Sequence, residues 1–173
     1  MVHLDLVAER VTGIPGSIVG DIAKIPTSES RFDVVLCVGS VLNYGNPILA
    51  FQEFWRVMKP GGILVLEYER SGSPDHWINH GFEAPCVLAT TFYGSLKTDL
   101  WVYGDQFIDG LIATTGFKVL LEKRFHCLSS LVLAVTGTPT LATRCVYGDS
   151  LFARIWPIRK LASNRFLAVE KPT

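Results

Sequence analysis

The chain has 173 residues, of which 49% are hydrophobic and 18% are charged, and its 16 basic residues balance its 16 acidic residues. This length is typical of one domain with a sizeable core, and this composition excludes a disordered chain. Because no basic cluster stands out, nucleic acid is not expected as a partner. The longest apolar run, 127–137, is shorter than the roughly 20 residues that cross a bilayer, so no transmembrane segment is expected.

Six apolar segments are predicted to be strands, and they are 2–6, 16–21, 32–38, 62–69, 117–125 and 165–172. Segment 32–38 is apolar at nearly every position, which is typical of a parallel-sheet strand that is covered on both faces. Three further segments, 22–31, 70–98 and 137–150, are predicted to be loops. Segment 70–98 is long for a loop, so we expect it to be functional or to contain short helices.

Two helices are predicted between the strands. In segment 47–58 the apolar residues form one stripe, Asn46 is a good N-cap, and Pro60 ends the helix. Segment 105–115 has a similar stripe and ends before Gly116. Strands that alternate with helices indicate an α/β fold with a mostly parallel sheet.

The four cysteines, Cys37, Cys86, Cys127 and Cys145, are far apart and form no CxxC motif. Without a recognisable secretory signal, this spacing favours reduced thiols in the cytoplasm over disulfides or a zinc site.

Small and acidic residues stand at the carboxyl ends of three predicted strands, where open α/β sheets bind their ligands. The strand 32–38 ends on Gly39 and Ser40, which either admit a ligand close to the backbone or make a tight turn. Asp5 and Asp21 end two other strands and either accept hydrogen bonds from a nucleoside or cap the next turn. Their combination at one sheet edge favours a nucleoside-containing ligand.

The run "IVGDIAKIPTSESRFDVVLCVGSVLNYGNPILAFQEFWRVMKPGGILVLE" resembles the class I S-adenosylmethionine-dependent methyltransferases. It is similar to that family's "GD…lP…s…FDvV" followed by "E…RVlKPGG.l", and the likeness covers residues 18–67. Residues 100–125 and the segment "NRFLAVEKP" are similar more loosely to the family's later elements. The resemblance implies one Rossmann-like, three-layer α/β domain over 1–173, with a mostly parallel sheet and an antiparallel last strand.

The resemblance also implies S-adenosylmethionine as cofactor and a site of seven residues: Asp5, Asp21, Ile22, Cys37, Val38, Gly39 and Ser40. Asp5 is expected to hold the ribose hydroxyls, and Asp21 and Ile22 the adenine. The other four residues run past the methionine part of the cofactor. The turn at 59–62 is expected to be structural, and Glu53 and Arg56 are expected to pair with each other or to support it.

The family's first strand and its glycine-rich loop have no counterpart in this sequence. Three accounts stay open: an incomplete copy, a partner chain that supplies a strand, or a degenerate, non-catalytic relative. A missing central strand would force its two neighbours to pair directly or leave an unpaired strand edge, which invites association with a partner or a second copy.

Six residues are candidates for the lining of an acceptor site because they follow the third and fourth predicted strands: Tyr44, His76, Trp77, His80, Phe82 and Tyr93. Such an aromatic, mildly polar wall suits a small organic or lipid-like acceptor. Segments 70–98 and 127–163 are candidate lids. His76 and His80 are spaced to share one helix face, but no third ligand accompanies them, so no metal is expected. No residue is assigned as a catalytic base.

The expected function is therefore S-adenosylmethionine-dependent methyl transfer to a small molecule. The alternative is a non-catalytic methyltransferase-like protein that binds or regulates a partner. A nicotinamide-dependent reductase ranks third because no GxGxxG motif is present.

Overall fold

The computed structural model describes residues 1–76, 82–93, 96–152 and 156–173. The strands are β1 (His3–Asp5), β2 (Ser17–Val19), β3 (Phe32–Cys37), β4 (Met58–Glu69), β5 (Cys86–Tyr93), β6 (Leu96–Tyr103), β7 (Lys118–Phe125) and β8 (Asn164–Glu170). The helices are α1 (Ala8–Val11), α2 (Pro47–Val57), α3 (Asp105–Thr115), α4 (Leu128–Thr136), α5 (Pro139–Phe152) and α6 (Trp156–Arg159). The six predicted strands and both predicted helices are present.

The main sheet has the strand order β3-β4-β8-β7. β3 runs parallel to β4, whereas β8 runs antiparallel to both β4 and β7, so β4 and β7 point the same way. The predicted α/β fold with an antiparallel last strand is therefore confirmed. β1 and β2 form a separate parallel pair. Within the described ranges β1 and β3 do not pair, so β3 keeps one edge without a partner strand.

One face of the main sheet carries the hydrophobic core. Leu64 and Leu66 of β4 are fully buried against Phe51 of α2 and Ile108 of α3, together with Leu167 of β8. Each such side chain contributes about 1.5–3 kcal/mol by leaving water, so this face anchors both long helices. The predicted N-cap of α2 is confirmed, because the Asn46 side chain accepts hydrogen bonds from two first-turn backbone N–H groups.

The opposite face of the same sheet is open. Val34 is 55% exposed, Leu36 is 65% exposed, and Leu121 at the far edge is 45% exposed. Leu36, Val65, Ala168 and Leu121 lie in one row across the four strands. The expectation that β3 is covered on both faces is therefore wrong for the described residues, because α2 and α3 both pack on the other face.

The turn predicted at 59–62 lies inside β4 as a bulge. Phe32 pairs with Met58, but Val34 pairs with Ile63, so four residues of β4 stand opposite one residue of β3. A side chain at Gly62 would place its Cβ 2.8 Å from the Lys59 carbonyl oxygen, which explains the need for glycine there.

Two segments predicted as loops contain regular structure. Segment 70–98 includes β5, whose eight residues pair antiparallel with β6 and bury Ala89 against Leu100 and Val102. Segment 137–150 lies largely in α5, which packs against α4. The helix was missed because its apolar residues form no clear stripe, so its helical state depends on this packing. No helix in the described part of the chain has the length and apolar character needed to cross a membrane.

Arg56 of α2 holds the segment between β2 and β3 in place by hydrogen bonds. It donates hydrogen bonds to the carbonyl oxygens of Ile25 at 2.8 Å and Thr27 at 2.7 Å, and it pairs with Glu53 at 2.7 Å. Glu53 in turn accepts a hydrogen bond from the Ile25 backbone N–H at 2.7 Å. The predicted structural pairing of Glu53 and Arg56 is confirmed, and it fixes the segment that follows β2.

We expect Arg56→Met to lower the free energy of unfolding by about 1–3 kcal/mol, because it removes several charge-assisted hydrogen bonds and keeps the aliphatic stem. Chemical denaturation of the purified chain measures the change. Arg144→Met is the control, because Arg144 is exposed on α5 and should change stability by no more than about 0.5 kcal/mol. Equal stability of the two variants would contradict this role of Arg56.

Candidate functional site

The turn after β3 has an unusual backbone that the Glu67 carboxylate holds in place. Gly39 has φ +76° and Ser40 has φ +59°, and a left-handed conformation is unfavourable for serine. Glu67 Oε2 accepts hydrogen bonds from the backbone N–H of Gly39 at 2.5 Å and of Ser40 at 3.0 Å. A Cβ on Gly39 would meet no atom within 4 Å, so the backbone faces open space there.

Asn43 ties the same segment to β4 and β6. It accepts a hydrogen bond from the Glu69 backbone N–H at 3.0 Å and donates to the carbonyl oxygens of Glu69 at 3.1 Å and Trp101 at 2.6 Å. Asn43 is fully buried, and Ser40 Oγ adds a 2.8 Å hydrogen bond to Glu69 Oε1. The sequence interpretation missed Asn43, Glu67 and Glu69. Two carboxylates that alternate along an otherwise apolar strand were the available signal.

Asp5 and Asp21 each close the turn that follows their own strand. Asp5 Oδ1 accepts from the Val7 backbone N–H at 2.8 Å, and Asp21 Oδ1 accepts from the Ala23 backbone N–H at 2.8 Å. The capping alternative considered for both residues is thus present in the structure. It occupies one carboxylate oxygen of each and leaves Oδ2 for another partner, although Arg10 lies 3.9 Å from Asp5 Oδ2.

Ile22 connects the end of β2 with the segment after β3. A Cβ on Gly45 would lie 2.8 Å from Ile22 Cδ1, so the two residues are in direct contact, and Ile22 also packs against the main core. The end of β1 lies beside the end of β2, because the Gly20 backbone N–H donates to the Asp5 carbonyl oxygen at 3.0 Å. The ends of β1 and β2 are therefore adjacent, and Ile22 joins the end of β2 to the segment after β3.

Cys37, the last residue of β3, is buried next to the turn and has no reactive thiolate. It is 4% exposed, and burial, followed by the charge of Glu67, raises the pKa of its thiol to about 12. The thiol is therefore protonated at neutral pH. Val38, the next residue, is 44% exposed at the end of β3.

Three of the predicted acceptor residues lie in the described part of the chain. Tyr44 is 53% exposed in the 3-10 turn Val41–Tyr44, His76 ends the 3-10 turn Pro74–His76, and Phe82 is 38% exposed. Trp77, His80 and the side chain of Tyr93 lie outside the part that the structure describes. These assignments stay predictions. No group of three or more His, Cys, Asp or Glu side chains that could hold a metal ion occurs within the described ranges.

A cavity of about 450 Å³, here called the ionic cavity, lies at the carboxyl ends of β4 and β7. Its charged lining residues are Arg70, Glu83, Asp105, Glu122, Arg124, Arg159 and Lys160. Tyr44, His76 and Phe82 are not among its lining residues. This cavity could not be predicted from the sequence, because its charged residues are spread over ninety positions and meet only in the fold.

Asp105 is the centre of the ion pairs around the ionic cavity. Arg70 donates to both of its oxygens, from Nε at 2.7 Å and from Nη2 at 2.8 Å, and Arg124 Nη2 lies 2.8 Å from Oδ2. Burial by itself would raise the pKa of Asp105, but these cations outweigh burial and lower the pKa to about 2.

Comparison with known proteins adds sequence evidence to this geometry. Residues 3–66 match the family model described as a methyltransferase domain. The chain is 34% identical over 70 residues to the ubiquinone/menaquinone biosynthesis C-methyltransferase UbiE of Ectopseudomonas mendocina, a match that covers 40% of this chain and 27% of the relative. It is 27% identical over 128 residues to the 2-methoxy-6-polyprenyl-1,4-benzoquinol methylase of Xenopus laevis, covering 68% of this chain and 41% of the relative.

The fold is also that of a solved S-adenosylmethionine-dependent methyltransferase from Listeria monocytogenes, described as putative in its own name. The TM-score is 0.62 at 11% identity, and the match covers 99% of this chain and 80% of that chain. Together, these findings show a methyltransferase-domain match over residues 3–66 and the fold of the class I S-adenosylmethionine-dependent methyltransferases. The two curated relatives named above carry names that refer to quinones or quinols. The chain spans 20 to 41% of the length of the curated relatives it matches.

We expect Asn43→Ala to lower the free energy of unfolding by about 2–4 kcal/mol, because it removes three hydrogen bonds and leaves buried backbone groups without partners. Chemical denaturation measures the loss. Asn46→Ala is the matched control, because it removes an exposed helix cap and should cost about 1 kcal/mol. A loss for Asn43→Ala no larger than that of the control would contradict the account of the turn.

The ion pairs of Asp105 should make the free energy of unfolding depend on pH in the acidic range. The folded-state pKa of about 2 lies below the ordinary value of 3.8, so the contribution is complete above pH 4 and is lost as the pH falls from 4 to 2. The loss should be about 2 kcal/mol for the native chain. Thermal unfolding across this range should show a shallower decline for Asp105→Asn than for the native chain. Asp33→Asn, which changes an exposed pair with Lys59, should follow the native curve, and identical slopes for all three proteins would disprove the assignment.

Proposed function

We propose that the chain binds S-adenosylmethionine at the edge where Asp5, Asp21 and Ile22 meet the Gly39–Ser40 turn, and that it transfers the methyl group to a small organic acceptor. The observation that carries the proposal is the contact between Ile22 and Gly45, which brings the ends of β1 and β2 to the turn after β3. In this arrangement Asp5, Asp21 and Ile22 would lie beside the exposed backbone turn. The two carboxylates would accept hydrogen bonds from the amino and hydroxyl groups of a nucleoside, and Ile22 would pack against its base.

The residues present fit the cofactor by their chemistry. Asp21 Oδ2 would accept a hydrogen bond from an adenine amino group, and Ile22 would offer an apolar surface to the base. Asp5 Oδ2 would accept from ribose hydroxyls. Gly39 has no side chain, so a ligand can approach its backbone closely.

The chain's contribution to transfer would be positioning. The cofactor, when bound, supplies a methyl group that its sulfonium already makes reactive. Glu67 holds the backbone of Gly39 and Ser40 rigid, so a bound molecule would meet a preorganised turn. Cys37 is protonated beneath this turn and would take no part as a nucleophile or base.

We propose further that the acceptor is quinone-like or quinol-like. The names of both curated relatives support this class, and the lipid-like acceptor expected from the aromatic residues of segment 70–98 is compatible with it. Two other expectations stay predictions: a cytoplasmic location, and a second copy or partner chain that pairs with the open edge of β3.

Calorimetric titration tests the cofactor site. We expect saturable binding of S-adenosylmethionine and S-adenosylhomocysteine, weakened about tenfold or more by Asp5→Ala and by Asp21→Ala, since each removes a charge-assisted hydrogen bond worth about 1.4 kcal/mol or more. Asp33→Ala is the matched control, because Asp33 is an exposed carboxylate near the amino end of β3, where it pairs with Lys59.

Binding that is the same in all variants would rule out this site. No binding by a cooperatively folded chain would favour the non-catalytic alternative. Once binding is established, transfer of an isotope-labelled methyl group to a demethylated quinol tests the acceptor class, and transfer only to unrelated acceptors would contradict it.

A further inference from the structure

The ionic cavity contains more positive than negative charge. Five basic side chains either line the cavity or form an ion pair with a lining residue, and they are Arg70, Arg124, Arg159, Lys160 and Arg165. The acidic side chains of the same cluster are four, namely Glu83, Asp105, Asp109 and Glu122. A net positive cavity attracts anions and disfavours cations.

The two central carboxylates already have partners at every oxygen. Both oxygens of Asp105 accept hydrogen bonds from Arg70. Glu122 Oε1 accepts from Arg124 at 2.7 Å, and its Oε2 accepts from Arg165 at 3.2 Å. These carboxylates therefore have little remaining capacity to accept hydrogen bonds from a ligand.

Two guanidinium groups of the cluster, by contrast, retain donors. The Arg159 side chain is 40% exposed, and its Nη2 lies 3.3 Å from Glu122 Oε1, a contact that involves one of its five N–H donors. The next residue, Lys160, is exposed and adds a second positive charge to the cavity wall. Arg165 Nε is buried without a hydrogen-bond partner among the described residues. Arg159 and Arg165 thus keep N–H donors that the carboxylates of the cluster do not occupy.

The size of the ionic cavity suits a metabolite. Its volume of about 450 Å³ falls within the roughly 300–1,000 Å³ that is typical of small-molecule sites. β4 and β7 are parallel, so the cavity opens at the carboxyl edge of the main sheet, beyond the strand ends that carry Glu69 and Phe125. Its described lining includes none of the proposed cofactor residues and none of the described acceptor candidates Tyr44, His76 and Phe82.

We propose that the ionic cavity is a binding site for the carboxylate or phosphate group of a small molecule, held by Arg159 and Lys160 at its margin. Guanidinium groups bind such planar or tetrahedral anions through paired N–H donors. Arg70 and Arg124 are fixed by Asp105 and form the positively charged base of the site. This site shares no residue with the proposed cofactor site, and its ligand is either the anionic part of the acceptor or a separate molecule.

Calorimetric titration with pyrophosphate and with citrate, at low ionic strength and without S-adenosylmethionine, tests the site. We expect saturable binding of at least one probe, and we expect Arg159→Gln and Lys160→Gln each to weaken it about fivefold or more. Arg144→Gln is the matched control, because it removes an exposed arginine of α5 that does not line the cavity. Sodium chloride at equal ionic strength controls for screening.

Absence of saturable binding would overturn the proposal, as would an equal loss in Arg144→Gln. Lys160→Gln keeps the test valid if Arg159→Gln folds poorly. Because the probes are titrated without cofactor, failure of the methyltransferase proposal leaves this test unaffected. In a methyl-transfer assay, competition between probe and acceptor would identify the acceptor as the source of the anion. Binding without competition would identify a separate ligand.

Discussion

The hydrogen bonds from Gly39 and Ser40 to the Glu67 carboxylate are the interaction on which the proposed site depends. They hold two successive residues at positive φ, a conformation that costs free energy for serine and would relax without a partner. Because Glu67 lies in β4, the turn is fixed to the centre of the main sheet. The core that buries Leu64 and Leu66 therefore also determines the geometry of the site.

Three residues at the carboxyl end of β4 each contact a different part of the molecule. Glu67 holds the turn after β3, Glu69 pairs with Asn43 and Ser40, and Arg70 pairs with Asp105 beside the ionic cavity. The proposed cofactor edge and the ionic cavity thus share one rigid support. This support leaves the face around Leu36 open, because both long helices pack on the other side of the sheet.

Much of this fold could be predicted from the sequence, because apolar periodicity and capping residues are local signals. Asn46 predicts the start of α2, and the apolar run 32–38 predicts β3. Local signals could not reveal α5, whose helical state depends on α4, or the exposure of Leu36, which depends on where the helices pack. The partners of Asn43 lie 26 and 58 residues away, so its role could be read only from the structure.

The most direct test of the central claim is a crystal structure of this chain grown with S-adenosylhomocysteine. We expect the adenine to lie against Ile22 with its amino group at Asp21, the ribose at Asp5, and the homocysteine part along the Gly39–Ser40 turn. Ligand density at another place, such as the ionic cavity, with these residues untouched would contradict the proposed site.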